Sequence, residues 1–249
     1  MLKDILFYPE RLRADYEFDF GPDCRELFIP TDDGEKLNAL HFSPDKPSGC
    51  VVYAHGNAGN LASWGAVAAV FNELGYDVII YDYRGYGKSS GDVGTEAQFY
   101  RDAECVLQHA RMSFADQDIF LYGRSLGTAM MTHLARGNRL RQLILETPFV
   151  SVPDLARTLF PMLPAGLPLD YAFDIGAMLR DVNMRVDFIH GTQDEIVPYD
   201  CSVRLARMLG DDSILHTVRG GHHNDLSMYP DYHNALTAIL KRGAQQKET

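Results

Sequence analysis

Paired cysteines, metal-binding spacings, positive charge and long apolar runs are all scarce in this chain of 249 residues. The four cysteines, Cys24, Cys50, Cys105 and Cys201, lie far apart with no Cys-x-x-Cys. That pattern suits free thiols in a reducing compartment, so a cytoplasmic location is expected. The nine histidines show neither His-Glu-x-x-His nor a Cys/His spacing. No metal is expected, and no cofactor. Lys and Arg number 23 against 34 Asp and Glu, a formal charge of −11. That sign opposes bulk attraction to nucleic acid or to an anionic membrane. No apolar run approaches the roughly 20 residues of a membrane span. Met1-Leu2-Lys3-Asp4-Ile5-Leu6-Phe7-Tyr8-Pro9 lacks the apolar core of a signal peptide, so no stable membrane anchor is expected. The chain also lacks internal repeats and low-complexity segments.

What is present is alternation. Short apolar runs at 24–30, 37–42, 50–54, 76–81, 118–122, 142–146, 185–190 and 213–218 read as strands. Helical stretches at 61–74, 95–112, 128–135, 199–209 and 231–241 separate most of them. Thr31-Asp32-Asp33-Gly34 is an Asp-Gly turn joining the first two strands, and Thr95-Glu96-Ala97-Gln98 is a capping box. The pattern predicts a single α/β domain over 1–249, with a mostly parallel eight-stranded sheet and helices on both faces. Residues 151–181 break it, with Pro153, Pro161, Pro164 and Pro168 among large apolar residues. They read as a short helical cap, and Leu159, Phe160 and Leu167 are the expected walls of an apolar pocket. Residues 1–23 read as an irregular arm without chemistry.

The organising stretch runs from Asp118 through Gly123-Arg124-Ser125-Leu126-Gly127 into Thr128 and beyond: strand, tight turn, helix. A nucleophile elbow needs this context, because the serine sits on a strained turn that neighbouring backbone approaches closely. The Gly-x-Ser-x-Gly pattern recurs at Gly87-Lys88-Ser89-Ser90-Gly91, where no helix follows, so Ser89 is read as a loop serine. His55-Gly56-Asn57-Ala58-Gly59-Asn60 follows another strand. It suits either a phosphate loop or half of an oxyanion hole. It lacks the Gly-Lys-Ser/Thr ending of the first, and the second also explains Ser125. His55 precedes the loop and is read as structural.

A serine hydroxyl needs a base within reach and a third group to orient that base. Ser125, Asp194 and His223 occur in the chain order usual for such elbows. Ser125 is the candidate nucleophile, His223 the base, Asp194 the acid that holds it. Backbone N–H groups of Asn57 and Leu126 are the candidate oxyanion donors. Glu146 also follows a strand and is read as a buried carboxylate below the site. The reaction expected is cleavage of a small-molecule ester or thioester. A peptidase and a catalytically silent binding module are the alternatives.

These motifs together, with His190-Gly191-Thr192-Gln193-Asp194 and His223-Asn224-Asp225, resemble the α/β-hydrolase superfamily over roughly residues 24–240. They are most similar to the branch that holds serine-aminopeptidase-like hydrolases and abhydrolase-domain depalmitoylating thioesterases. The resemblance implies an acyl-enzyme on Ser125 and places the base immediately before Asn224-Asp225, at His223. His222 stands where relatives carry a small residue. Asp187 stands in a strand that is apolar in relatives, which is costly unless it is paired. The Cys-rich anchor of the membrane-bound relatives is missing from the segment before Cys24.

Overall fold

The computed structural model describes residues 7–162 and 170–245. Its elements in chain order begin with β1 (Tyr8–Pro9), β2 (Cys24–Pro30), β3 (Lys36–Phe42), β4 (Cys50–Ala54) and β5 (Ala58–Gly59). Helices α1 (Leu61–Trp64) and α2 (Ala68–Glu73) follow, then β6 (Asp77–Tyr81), α3 (Glu96–Arg111), β7 (Ile119–Arg124), α4 (Gly127–Ala135) and β8 (Gln142–Glu146). The chain closes with α5 (Val152–Leu159), α6 (Ile175–Leu179), β9 (Val186–Gly191), α7 (Asp200–Leu209), β10 (Ser213–Val218) and α8 (Pro230–Gln245).

Eight strands form one sheet in the order β10-β9-β8-β7-β4-β6-β3-β2. The Asp-Gly turn closes a β2–β3 hairpin, with Cys24 opposite Phe42 and Pro30 opposite Lys36. β3 is also antiparallel to β6, and the remaining pairs are parallel. Successive residues of a strand point to opposite faces, so each buried strand feeds two cores. Cys50, Val52 and Ala54 of β4 join Ile119 and Leu121 of β7 under α3, α4, α6 and α7. Val51, Tyr53, Phe120 and Tyr122 pack on the other face against α1, α2 and α8. Parallel strands that are buried on both faces read as continuous apolar runs, which is why they were legible.

The stretch expected as one helix over 61–74 is interrupted by a 3₁₀ turn at Gly65–Val67. Phe20 of the arm lies so close that a Cβ on Gly65 would be 2.5 Å from its ring. The capping box forms at Thr95 and Gln98. Asp187 is fully buried and paired: it accepts from His216 Nε2 at 2.6 Å, Arg242 Nη2 at 2.7 Å and the Gln142 amide. Those partners offset the desolvation of its charge; removing one partner of such a group typically costs about 3–5 kcal/mol.

The arm is not wholly irregular. Tyr8 and Pro9 pair in parallel with Ala58 and Gly59. In the proline-rich segment, α5 and α6 are short helices, and Leu167 lies outside the described residues. No helix among the described residues is long and apolar enough to cross a membrane.

Candidate active site

β7 runs directly into α4, and Ser125 sits at the corner with φ of 51°. A non-glycine residue held there is strained, and the surroundings fix it. Its N–H donates to Glu146 O at 2.9 Å, and its carbonyl accepts from Thr128 N at 3.0 Å. A Cβ on Gly127 would lie 2.0 Å from Ala54 O, and one on Gly123 would lie 2.5 Å from Gly127 O. Both glycines are therefore dictated by how closely the helix start crosses the strand ends.

His223 comes from the loop after β10 and Asp194 from the loop after β9. His223 Nε2 lies 3.1 Å from Ser125 Oγ, and Nδ1 lies 2.7 Å from Asp194 Oδ2. An ionised Asp194 only accepts, so Nδ1 carries the proton and Nε2 is left to accept from the serine hydroxyl. Burial works to raise the Asp194 pKa. Hydrogen bonds from His190, His223 and the Val197 N–H outweigh it, and the carboxyl is held well below the usual range.

In the sequence His190 stands at a strand end and opens the motif that leads to Asp194, with no role assigned to it. It is fully buried, with Nε2 at 2.9 Å from Val197 O and 3.1 Å from Asp194 Oδ2, and Nδ1 at 2.7 Å from Ser202 Oγ. Because Val197 O can only accept, Nε2 carries a hydrogen. Asp194 is thereby gripped from behind as well as from the His223 side. His222 points elsewhere: it is half exposed, and its Nδ1 lies 3.1 Å from Glu195 Oε2.

Asn57 and Leu126 both line the cavity beside Ser125. Tyr86 Oη donates to Asn57 O at 2.7 Å, fixing the loop from below. His55 is fully buried between Asp82 Oδ1, at 3.2 Å, and Gly56 O, at 2.7 Å, away from Ser125 Oγ. Glu146 is engaged by Tyr122 Oη and Arg124 Nε, below the elbow and apart from His223. Arg124 also reaches the base loop, donating through Nη2 to His223 O at 3.0 Å and Asn224 Oδ1 at 3.2 Å. Its guanidinium lies 4.9 Å from the Trp64 ring centroid. Burial would lower the Arg124 pKa, but the Glu146 charge more than compensates and keeps it raised.

The site opens into a cavity of about 370 Å³. Leu159 and Phe160 do not line it, contrary to expectation; they are 41% and 61% exposed. Val152 and Leu155 line it instead. Leu159 shares their helix face but lies a turn past Leu155, about 6 Å further along, and Phe160 follows the helix end. Phe149, Tyr171 and Phe173 complete the apolar wall together with Phe7 and Tyr8 of the arm. Among the described residues no cluster of three His, Cys, Asp or Glu could hold a metal.

Comparisons with known proteins bear on the family and the fold. A family model described as serine aminopeptidase, S33, matches residues 45–168. Protein bem46 of Schizosaccharomyces pombe is 30% identical over 236 residues, covering 89% of this chain and 78% of that protein. The chain belongs to the α/β-hydrolase superfamily. Protein YfhR of Escherichia coli K12 is 29% identical over 212 residues, covering 82% of this chain and 70% of YfhR. This hydrolase also superposes on the esterase Pf2001 of Pyrococcus furiosus with a TM-score of 0.75 at 16% identity, over 95% of this chain and 98% of the esterase.

Proposed function

We propose that this α/β hydrolase cleaves carboxylic esters or thioesters through an acyl-enzyme on Ser125. The observation that carries the proposal is the hydrogen-bonded series Ser125–His223–Asp194 opening onto an apolar cavity. Ser125 Oγ attacks the acyl carbonyl as its proton passes to His223 Nε2. The collapsing intermediate expels the alcohol or thiol, which takes that proton, and leaves the acyl group on Ser125. Water, deprotonated by His223, then releases the acid. Asp194 holds the imidazole and stabilises its cation. The N–H groups of Asn57 and Leu126 hold the oxyanion, each contributing typically about 10²–10³ in rate. The segment 151–181 serves as a small cap within a single domain, with Val152 and Leu155 of α5 facing the acyl chain.

An aminopeptidase would need an anion for the substrate's α-amine. Among the described residues, no Asp or Glu lines the cavity, which disfavours a substrate with a cationic group there.

A fluorophosphonate probe and a panel of p-nitrophenyl esters test the reading. Labelling and turnover are expected in the native protein, both lost in Ser125→Ala. Folded native protein that neither labels nor hydrolyses any ester refutes it.

A further inference from the structure

The arm before β2 carries no recognised motif, yet it enters the cavity. Phe7 is 5% exposed. Its ring stacks on Phe99 of α3 at 5.3 Å and meets Tyr171 and Phe173 edge-on at 4.8 and 6.4 Å. It therefore wedges between a helix of the main fold and the segment at 171–173 that precedes α6. All of these rings but Phe99 face the cavity that contains Ser125.

Backbone pairing fixes this placement. Tyr8 and Pro9 lie against Ala58 and Gly59, next to Asn57. Asn60 Nδ2 donates to Glu10 O at 3.2 Å, Gly87 N donates to Glu10 O at 2.9 Å, and Leu12 N donates to Gly87 O at 2.9 Å. Arg11 Nη1 donates to Ser89 O at 3.0 Å. Five consecutive residues, 8–12, are thus tied to the two loops beneath the site, and Phe7 cannot slide without breaking that ladder. A side chain so held sets the size and shape of the space in front of it.

We propose that Phe7 is a specificity-determining residue, the fixed aromatic wall that limits the length of the apolar acyl chain accepted at Ser125. The inference rests on the ester-hydrolase reading. The arm then belongs to the active site: it shapes the acyl pocket through Phe7 and braces the Asn57 loop through β1.

The test is kcat/KM for p-nitrophenyl esters from acetate to dodecanoate in native protein, Phe7→Ala, Phe7→Leu and Phe7→Trp. Phe7→Ala lengthens the pocket, and the ratio of octanoate to butyrate is expected to rise about tenfold, since one or two methylenes in an apolar pocket discriminate at that scale. Phe7→Leu gives a smaller rise. Phe7→Trp shortens the pocket and lowers the ratio. Equilibrium binding of methyl octanoate and methyl butyrate to Ser125→Ala, with and without each Phe7 change, reads the same preference without turnover. An unchanged length preference in folded Phe7→Leu and Phe7→Trp overturns the proposal even if every variant hydrolyses esters. A shifted binding preference in protein that hydrolyses none upholds the wall and refutes the hydrolase reading instead.

Discussion

The same five-residue pattern occurs twice in this chain and makes two different things. At Gly123–Gly127 it lies between β7 and α4, and Ser125 is forced to φ of 51° with its hydroxyl 3.1 Å from His223 Nε2. At Gly87–Gly91 it lies in a loop. There Ser89 is 0% exposed, its Oγ donating to Asp82 O at 2.7 Å and accepting from Asn38 N at 2.8 Å. One hydroxyl faces a base and a cavity, and the other satisfies buried backbone. A hydroxyl's chemistry thus comes from what the backbone turns it toward.

The contrast can be broken most forcefully at the base. His223→Ala is expected to lower kcat by up to about 10⁶, because nucleophile and base act as one unit. His222→Ala, which loses only an exposed contact to Glu195, should stay within about threefold, as surface changes usually do. Ester kinetics on the two single variants decide it, and an active His223→Ala beside an inactive His222→Ala reverses the assignment.

The acid is the next lever. Asp194→Asn should lower kcat by about 10⁴ by favouring the wrong imidazole tautomer. Its partners also make Asp194 a pH-dependent element. The folded pKa is depressed, so its stabilisation is complete above the unfolded value of about 3.9 and is lost progressively as pH falls below that value toward the folded one. Denaturant melts between pH 6 and pH 3 should therefore show a steeper loss in native protein than in Asp194→Asn. Parallel curves would mean that the carboxyl is not held as described.

The smallest effect sharpens the other half of the comparison. Ser89→Ala strands the buried Asn38 N–H, which should reduce folding stability by about 1–3 kcal/mol while ester turnover changes little. Urea melts beside esterase assays measure both. Lost turnover without lost stability would give Ser89 a chemical role.

Much of this was legible because it is local. Strands buried on both faces appear as apolar runs, and the capping box at Thr95 and the Asp-Gly turn at 33–34 announce their own geometry. The order Ser125, Asp194, His223 and the strand–turn–helix context of the elbow are equally local, and they single out Ser125 rather than Ser89 as the candidate, the one whose hydroxyl faces His223. Leu159 and Phe160 were misplaced because apolar density shows that a helix seeks cover, without showing where along it the cavity ends. His190 was overlooked because a histidine at a strand end gives no sign of which carboxylate it will meet.

The sequence by itself determined the alternation of strands and helices and the strand–turn–helix corner at Ser125, since each depends on neighbours a few residues away. Only the tertiary structure decided where Phe7 and Arg124 make their contacts. Phe7 meets Tyr171, and Arg124 meets the carbonyl of His223, because sheet order carries distant segments to one edge. Such contacts depend on side-chain reach and packing between segments far apart in the chain, to which no local pattern is sensitive.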